Sequence, residues 1–169
     1  MGFLFTNMRV LGIDPGTIVT GYGIVDDIKG KLFHVTHGLI EGKRKDSFPD
    51  RLKLIFDGLN IVIGEYKPDY IALEEVFYGK SVKSAIKVGE ARGVAILCAA
   101  AAKIPMAEYS PTVVKRAVVG SGNAQKVQVS EMVKVILALS EVPEKYDATD
   151  ALAIAICHCH RIKSVKMMI

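Results

Sequence analysis

The hydrophobic rhythm of this chain changes at about residue 48, and that change constrains its fold more than any other feature. Before it come three β-rich segments, residues 10–13, 21–25 and 32–40, with 26–30 as the turn between the second and third. Segments joined this closely pair as hairpins, because a short turn returns the chain antiparallel beside itself. After it, Leu52, Ile55, Leu59, Val62 and Tyr66 recur at steps of three and four, the period of a helix with one buried face, until Pro68 stops it. A short strand at 70–74, a long helix at about 82–102 and another short strand around 106–109 follow. Strands separated by helices pair parallel, since the crossover carries the chain back to the same end of the sheet. The order predicts an α/β domain with a five-stranded mixed sheet flanked by helices.

The remainder reads as helical, with Gly120, Ser121, Gly122 and Asn123 as a break, a helix around 125–139, a stop at Pro143 and a last helix at about 147–163. Residues 1–7 precede a second methionine, Met8, and are expected to be an N-terminal extension; 8–163 form one domain and 164–169 a tail. A length of 169 residues, half of them apolar, suits one compact domain with a substantial core. No apolar run approaches the roughly 20 residues that span a bilayer, and the start lacks the basic-then-apolar layout of a secretory signal. A cytoplasmic protein that makes no use of a membrane is expected. The cysteines number three, and Cys157 and Cys159 sit together in a helical pattern, which predicts reduced thiols over a disulfide framework. A net charge of +4 decides little, because a chain that gathers acids in one site is more basic elsewhere than its total.

The acids carry the chemistry. Asp14 ends the apolar strand Val10, Leu11, Gly12, Ile13, where an ionised group gains nothing from a buried sheet and the Pro15-Gly16 turn exposes it. Glu74 ends a second apolar strand, Tyr70, Ile71, Ala72, Leu73. If the two strands are parallel neighbours, their carboxyl ends open onto the same edge, where α/β sheets place their ligands. Asp147 and Asp150 are three apart at the start of a helix, so they project from one face, and the apolar stretch after them suits docking on the sheet. Carboxylates gathered in one cleft raise one another's pKa unless cations compensate. Oxygen-only ligands favour magnesium or manganese over zinc. Two such ions about 3.5 to 4 Å apart support in-line hydrolysis of a phosphodiester. Each acid also has a plainer role: Asp147 as a helix N-cap, Asp150 as a first-turn acid favoured by the helix dipole, Asp14 as a turn residue. Glu75 competes with Glu74, because neighbours on a strand face opposite ways and pattern does not choose between them.

These segments resemble the RuvC resolvases that cut Holliday junctions, within the ribonuclease-H-like superfamily. The residues that carry the resemblance are Leu11-Gly12-Ile13-Asp14-Pro15-Gly16 with Thr20-Gly21-Tyr22-Gly23, Pro68 through Phe77, Gly89-Glu90-Ala91-Arg92-Gly93, Val118-Val119-Gly120, and Asp147 through Ala155. The similarity runs from about Met8 to His160. It implies a ribonuclease-H-like fold with Asp14, Glu74, Asp147 and Asp150 as catalytic metal ligands, two Mg2+ per site, and Mn2+ as a substitute. It implies a homodimer that binds four-way junction DNA and nicks two strands of like polarity symmetrically, leaving 5'-phosphate and 3'-hydroxyl ends. The RuvA and RuvB branch-migration proteins would be its partners in homologous recombination and DNA repair. The departures are the extension at the start and Glu75, where some members carry an amide.

Residues that would hold DNA lie on either side of the acids in sequence. Phe77 and Tyr78 occupy a loop closed by Gly79, and an exposed aromatic there would stack on an unpaired base. In the family an aromatic at the Phe77 position does this; a hydrophobic lid on the sheet is the plainer role. Lys80, Lys83 and Lys87 fall near one helix face, a spacing suited to phosphates or simply to solvent. Lys115, Arg116 and Lys126 flank the 120–123 loop, and Lys115 and Lys126 match positions where the family carries DNA-contacting lysines. Gly89 and Gly93 inside an alanine-rich helix are expected to allow close backbone packing, in a dimer interface or tight on the sheet. The string Cys157-His158-Cys159-His160 does not suit zinc, since consecutive helical residues fan around the axis. His158 is expected in the core or on the surface, with the cleft edge as an alternative.

Two other functions fit part of the pattern. The Asp14 to Thr17 turn also resembles the phosphate loop of the actin, Hsp70 and sugar-kinase ATPases, but those proteins repeat the fold to enclose a nucleotide and this length holds one copy. A module that recognises branched DNA without cutting is the other alternative, and four intact acids argue against it.

Overall fold

In the computed structural model, which describes residues 7–75 and 81–166, three strands come first: β1 (Met8–Asp14), β2 (Val19–Ile28) and β3 (Lys31–Glu41). Then follow α1 (Phe48–Tyr66), β4 (Tyr70–Glu74), α2 (Val82–Ala101), β5 (Met106–Tyr109), α3 (Pro111–Val119), α4 (Lys126–Ile136) and α5 (Tyr146–Lys166). The strands form one five-stranded sheet in the order β3-β2-β1-β4-β5. β1, β2 and β3 pair antiparallel, and β1, β4 and β5 pair parallel.

Element boundaries differ from the sequence expectation where turn chemistry decides them. β2 continues to Ile28 and the turn shrinks to Lys29 and Gly30, whose φ values of 51° and 91° belong to the left-handed pair that tight hairpins favour. The Asp27 carboxylate accepts the Gly30 amide at 2.9 Å and fixes that turn. α4 stops at Ile136, ahead of Ala138 with φ 51°. α3 stands as a separate helix, started by Pro111 behind the Ser110 cap and ended by Gly120 at φ 88°.

The sheet separates two apolar clusters. On one face α1 and α2 cover Leu11, Ile13, Ile24, Ile71 and Leu73. On the other, α5 lies over Val10, Val25 and Ala72, with α3 and α4 packed outside it. α5 is therefore enclosed, and every residue from Ala151 to Cys159 is buried, as expected for a helix apolar all round. Its approach to the sheet depends on glycine. A methyl group at Gly12 would collide with the Ala151 carbonyl oxygen and stand 2.8 Å from the Ala155 amide nitrogen, and one at Gly21 would collide with the Asp147 carbonyl. Those two strand positions let the helix backbone rest on the sheet backbone. Among the described residues no helix is long and apolar enough to cross a membrane.

Candidate active site

Parallel pairing brings two of the acids to one edge. β1 and β4 run side by side with Ile13 opposite Leu73, so Asp14 and Glu74 leave the sheet together. α5 starts above that edge, and its seat on Gly12 and Gly21 delivers Asp147 in the first turn and Asp150 just after it. Glu74 is half-buried while Glu75 is exposed, its amide spent on the Tyr109 carbonyl at 2.9 Å. Alternation along the strand thus turns Glu74 toward the other acids, which the sequence pattern left open.

The electrostatics record this convergence. Burial pushes the Asp14 carboxyl up to about 8, and repulsion from Asp150, Glu74 and Asp147 adds to the rise. Glu74 is raised by burial and then by Asp150. Asp150 is raised by burial and held back by Lys126. Burial and like charge act in the same direction here, so metal-free Asp14 is largely protonated at neutral pH. Among the described residues no three acidic, histidine or cysteine groups already ring a single point as ion ligands. Part of the space belongs to Lys126, whose Nζ donates to Asp150 Oδ2 at 3.2 Å and lies 5.7 Å from the centre of the Tyr146 ring.

The remaining sequence candidates divide by position. Lys115 joins Lys126 in lowering the pKa of both Glu74 and Asp150, so both lysines stand within electrostatic reach of the acids. Arg116 lines a separate small cavity with Val113, Ala117, His160 and Arg161. Lys83 and Lys87 are exposed on α2, and Lys87 Nζ lies 5.5 Å from the centre of the Phe48 ring. Phe77, Tyr78 and Lys80 lie outside the described residues. Gly89 and Gly93 do not rest on the sheet: an added methyl group at either would meet open space.

The Cys157 to His160 string disperses into the core around α5. Cys157 Sγ approaches the Val113 carbonyl, His158 Nδ1 is hydrogen-bonded to the Tyr109 hydroxyl at 2.7 Å, and His160 Nδ1 to the Ala117 carbonyl at 3.0 Å. His158 is a core residue and does not reach the cleft.

Two contributors escaped the sequence reading. Arg92 of α2 donates from Nε to the Glu74 carbonyl at 3.3 Å and pairs with Glu108, which fixes the end of β4 against β5. Its place in the Gly89 to Gly93 segment that carries the resemblance, and an arginine within a largely apolar helix, were the available signals. Gly12 and Gly21 set the height of α5, and strand glycines facing an apolar helix were the sign of that close approach.

Comparison with known proteins agrees with this geometry. The family model described as crossover junction endodeoxyribonuclease RuvC matches residues 10–158. The crossover junction endodeoxyribonuclease RuvC of Pelobacter propionicus is 53% identical over 153 residues, covering 90% of this chain and 86% of that protein. Its counterpart in Syntrophotalea carbinolica is 51% identical, over 90% of this chain and 94% of its own. The structure of Thermus thermophilus RuvC in complex with Holliday junction substrate superposes with a TM-score of 0.88 at 34% identity, over 94% of this chain and 96% of that one. The sheet order, the acid-bearing edge and similarity over nine-tenths of the sequence agree, and the chain belongs to the crossover junction endodeoxyribonuclease RuvC family, with its ribonuclease-H-like fold.

Proposed function

We infer that this chain is a Holliday-junction resolvase whose endonuclease centre is formed by Asp14, Glu74, Asp147 and Asp150. The observation that carries the assignment of the site is geometric: β1 and β4 end side by side at Asp14 and Glu74, and α5 begins over the same edge with Asp147 and Asp150. An all-oxygen donor set of this kind would suit a hard divalent cation, which Asp14, Glu74, Asp147 and Asp150 would hold. Two magnesium ions, or manganese in their place, would supply an activated water and charge stabilisation at the scissile phosphate and its leaving oxygen.

The protein's own residues do the rest. Asp14 and Glu74 hold fixed positions because they end paired strands, and Arg92 braces the second of them. Lys115 and Lys126 offer cations beside the acids, placed for the phosphates flanking the cut. Lys126, paired here with Asp150, would be available to a DNA phosphate where a metal held that carboxylate instead. Cutting is symmetric, on strands of like polarity, with 5'-phosphate and 3'-hydroxyl ends, and requires two copies of the site. The dimer surface is the outer face of α2, where Val82, Ile86, Gly89, Gly93 and Leu97 recur at steps of three and four, and the three large side chains are more than half exposed. In this reading Phe77 and Tyr78 stack on an unpaired base at the junction centre, Lys80, Lys83 and Lys87 meet phosphates, and Arg116 joins Lys115 and Lys126 as a DNA contact. The partners are the RuvA and RuvB branch-migration proteins, in recombination and repair within the cytoplasm.

The test is a synthetic four-way junction titrated with magnesium or manganese. Wild-type chain nicks it symmetrically, and Asp14→Asn binds it without cutting. Equal cutting by both proteins would end the assignment of the site.

A further inference from the structure

The loop between β3 and α1 carries three consecutive cations, Lys43, Arg44 and Lys45, all exposed. Topology places it at the catalytic edge. β3 runs toward the edge where β1 and β4 end, since Val19 at the start of β2 pairs with Glu41 at the end of β3. The Gly42 amide donates to the Ile18 carbonyl at 2.8 Å, which ties the loop directly to the segment that follows Asp14. The neighbouring acids are engaged locally: Asp46 accepts the Lys43 amide at 2.8 Å and Asp50 accepts the Ser47 hydroxyl at 2.6 Å. Among the described residues none of the three basic side chains enters an ion pair. Behind them Phe48 carries two more cations, with Arg51 and Lys87 each 5.5 Å from its ring centre, and Arg51 Nε is buried without a hydrogen-bond partner.

Lys115 and Lys126 approach the acids from the sheet face covered by α3, α4 and α5. The 42–48 loop stands at the same edge on the face covered by α1 and α2. We propose that Lys43, Arg44 and Lys45, backed by the Phe48, Arg51 and Lys87 cluster, form a second phosphate-binding ridge. It grips the DNA backbone on the far side of the cut from Lys115 and Lys126. The strand then crosses the sheet edge held at both ends, with the scissile phosphate over the acids. This rests on the junction-cutting reading and adds to it where the outgoing DNA lies.

The experiment measures junction affinity of the full chain in EDTA across a salt series, together with hydroxyl-radical footprints. Each phosphate contact contributes about −0.9 to the slope of log K against log salt, so K43E/R44E/K45E should be shallower than wild type by about 2 to 3. The control K29E/K67E/K103E changes the same charge at the opposite end of the sheet and should keep the wild-type slope. Footprints of the loop variant should lose protection on one side of the cut, and those of Lys115→Glu on the other. An unchanged slope, or equal loss of protection on both sides, would overturn the ridge while leaving the nuclease assignment intact. The single variants Arg44→Glu and Lys45→Glu, each expected to remove about one contact's slope, repeat the test in case the triple variant misfolds. A wild-type chain that binds junctions without salt dependence would overturn both readings.

Discussion

The two ends of α5 handle buried polar groups in opposite ways. Its first turns bring Asp147 and Asp150 to two further acids, and the charges there remain a problem solved only in part by Lys126. Its last turns hold polar groups kept neutral. Burial lowers His158 to about 4 and raises Tyr109 to about 12 and Cys157 to about 11, so none of the three carries charge at pH 7. The Tyr109 hydroxyl is hydrogen-bonded to His158 Nδ1, His158 Nε2 is buried without a hydrogen-bond partner, and Tyr70 lies against the same imidazole with ring centres 4.9 Å apart. One end therefore gathers like charges, and the other holds buried groups that stay neutral. The proposed activity belongs to the end where electrostatic repulsion is left uncompensated.

The largest test of that contrast separates two adjacent acids. Glu74→Gln should reduce junction cutting by at least about a hundredfold, because it removes a proposed metal ligand, whereas Glu75→Gln should stay within about twofold. Comparable losses in the initial rates of the two variants would mean that the strand does not choose between its neighbours as described. The next effect concerns the seat of the helix. Gly12→Ala forces α5 off the sheet and should cost about 1–3 kcal/mol, seen as a lower melting temperature together with slower cutting. A variant that melts and cuts like wild type would show that α5 is not held against β1 as closely as the contacts require.

The quiet end of the helix makes a prediction in pH. His158 has a folded pKa below its unfolded value, so its contribution is fully present above about pH 6.5 and is lost as pH falls toward about 4. The upper bound is about 3 kcal/mol. Urea denaturation across that range should show a steeper loss for wild type than for His158→Leu, and the difference between the two isolates this residue from the acids. Parallel curves would exclude it as the source. The smallest effect sharpens the active end: Lys126→Met should tighten manganese binding by about two- to fivefold in calorimetry, since a competing cation leaves Asp150. Weaker binding would place Lys126 as a support for the metal.

Much of this was legible before any coordinates. The hairpin segment, the two crossover helices and the short strands at 70–74 and 106–109 follow from period and punctuation, because those signals are local. The acids at strand ends were legible for a related reason, since an ionised residue closing an apolar strand has no other place to go. What period does not encode is the face presented at a strand's end or the distance between helices distant in sequence. The tight turn at Lys29 and Gly30, the early end of α4 and the independence of α3 depended on single-residue backbone angles. The outward placement of Gly89 and Gly93 depended on which side of α2 met the sheet.

By itself the sequence determined the strands, the helices and the four acids worth watching, because each is set by residues within a few positions of one another. Only the tertiary structure decided that α5 descends on Gly12 and Gly21 to complete the group and that Lys126 stands among the acids, and it turned Glu74 toward Asp14 where residue pattern alone did not choose between Glu74 and Glu75. Those outcomes depend on contacts between segments tens of residues apart, where backbone proximity and charge act through space.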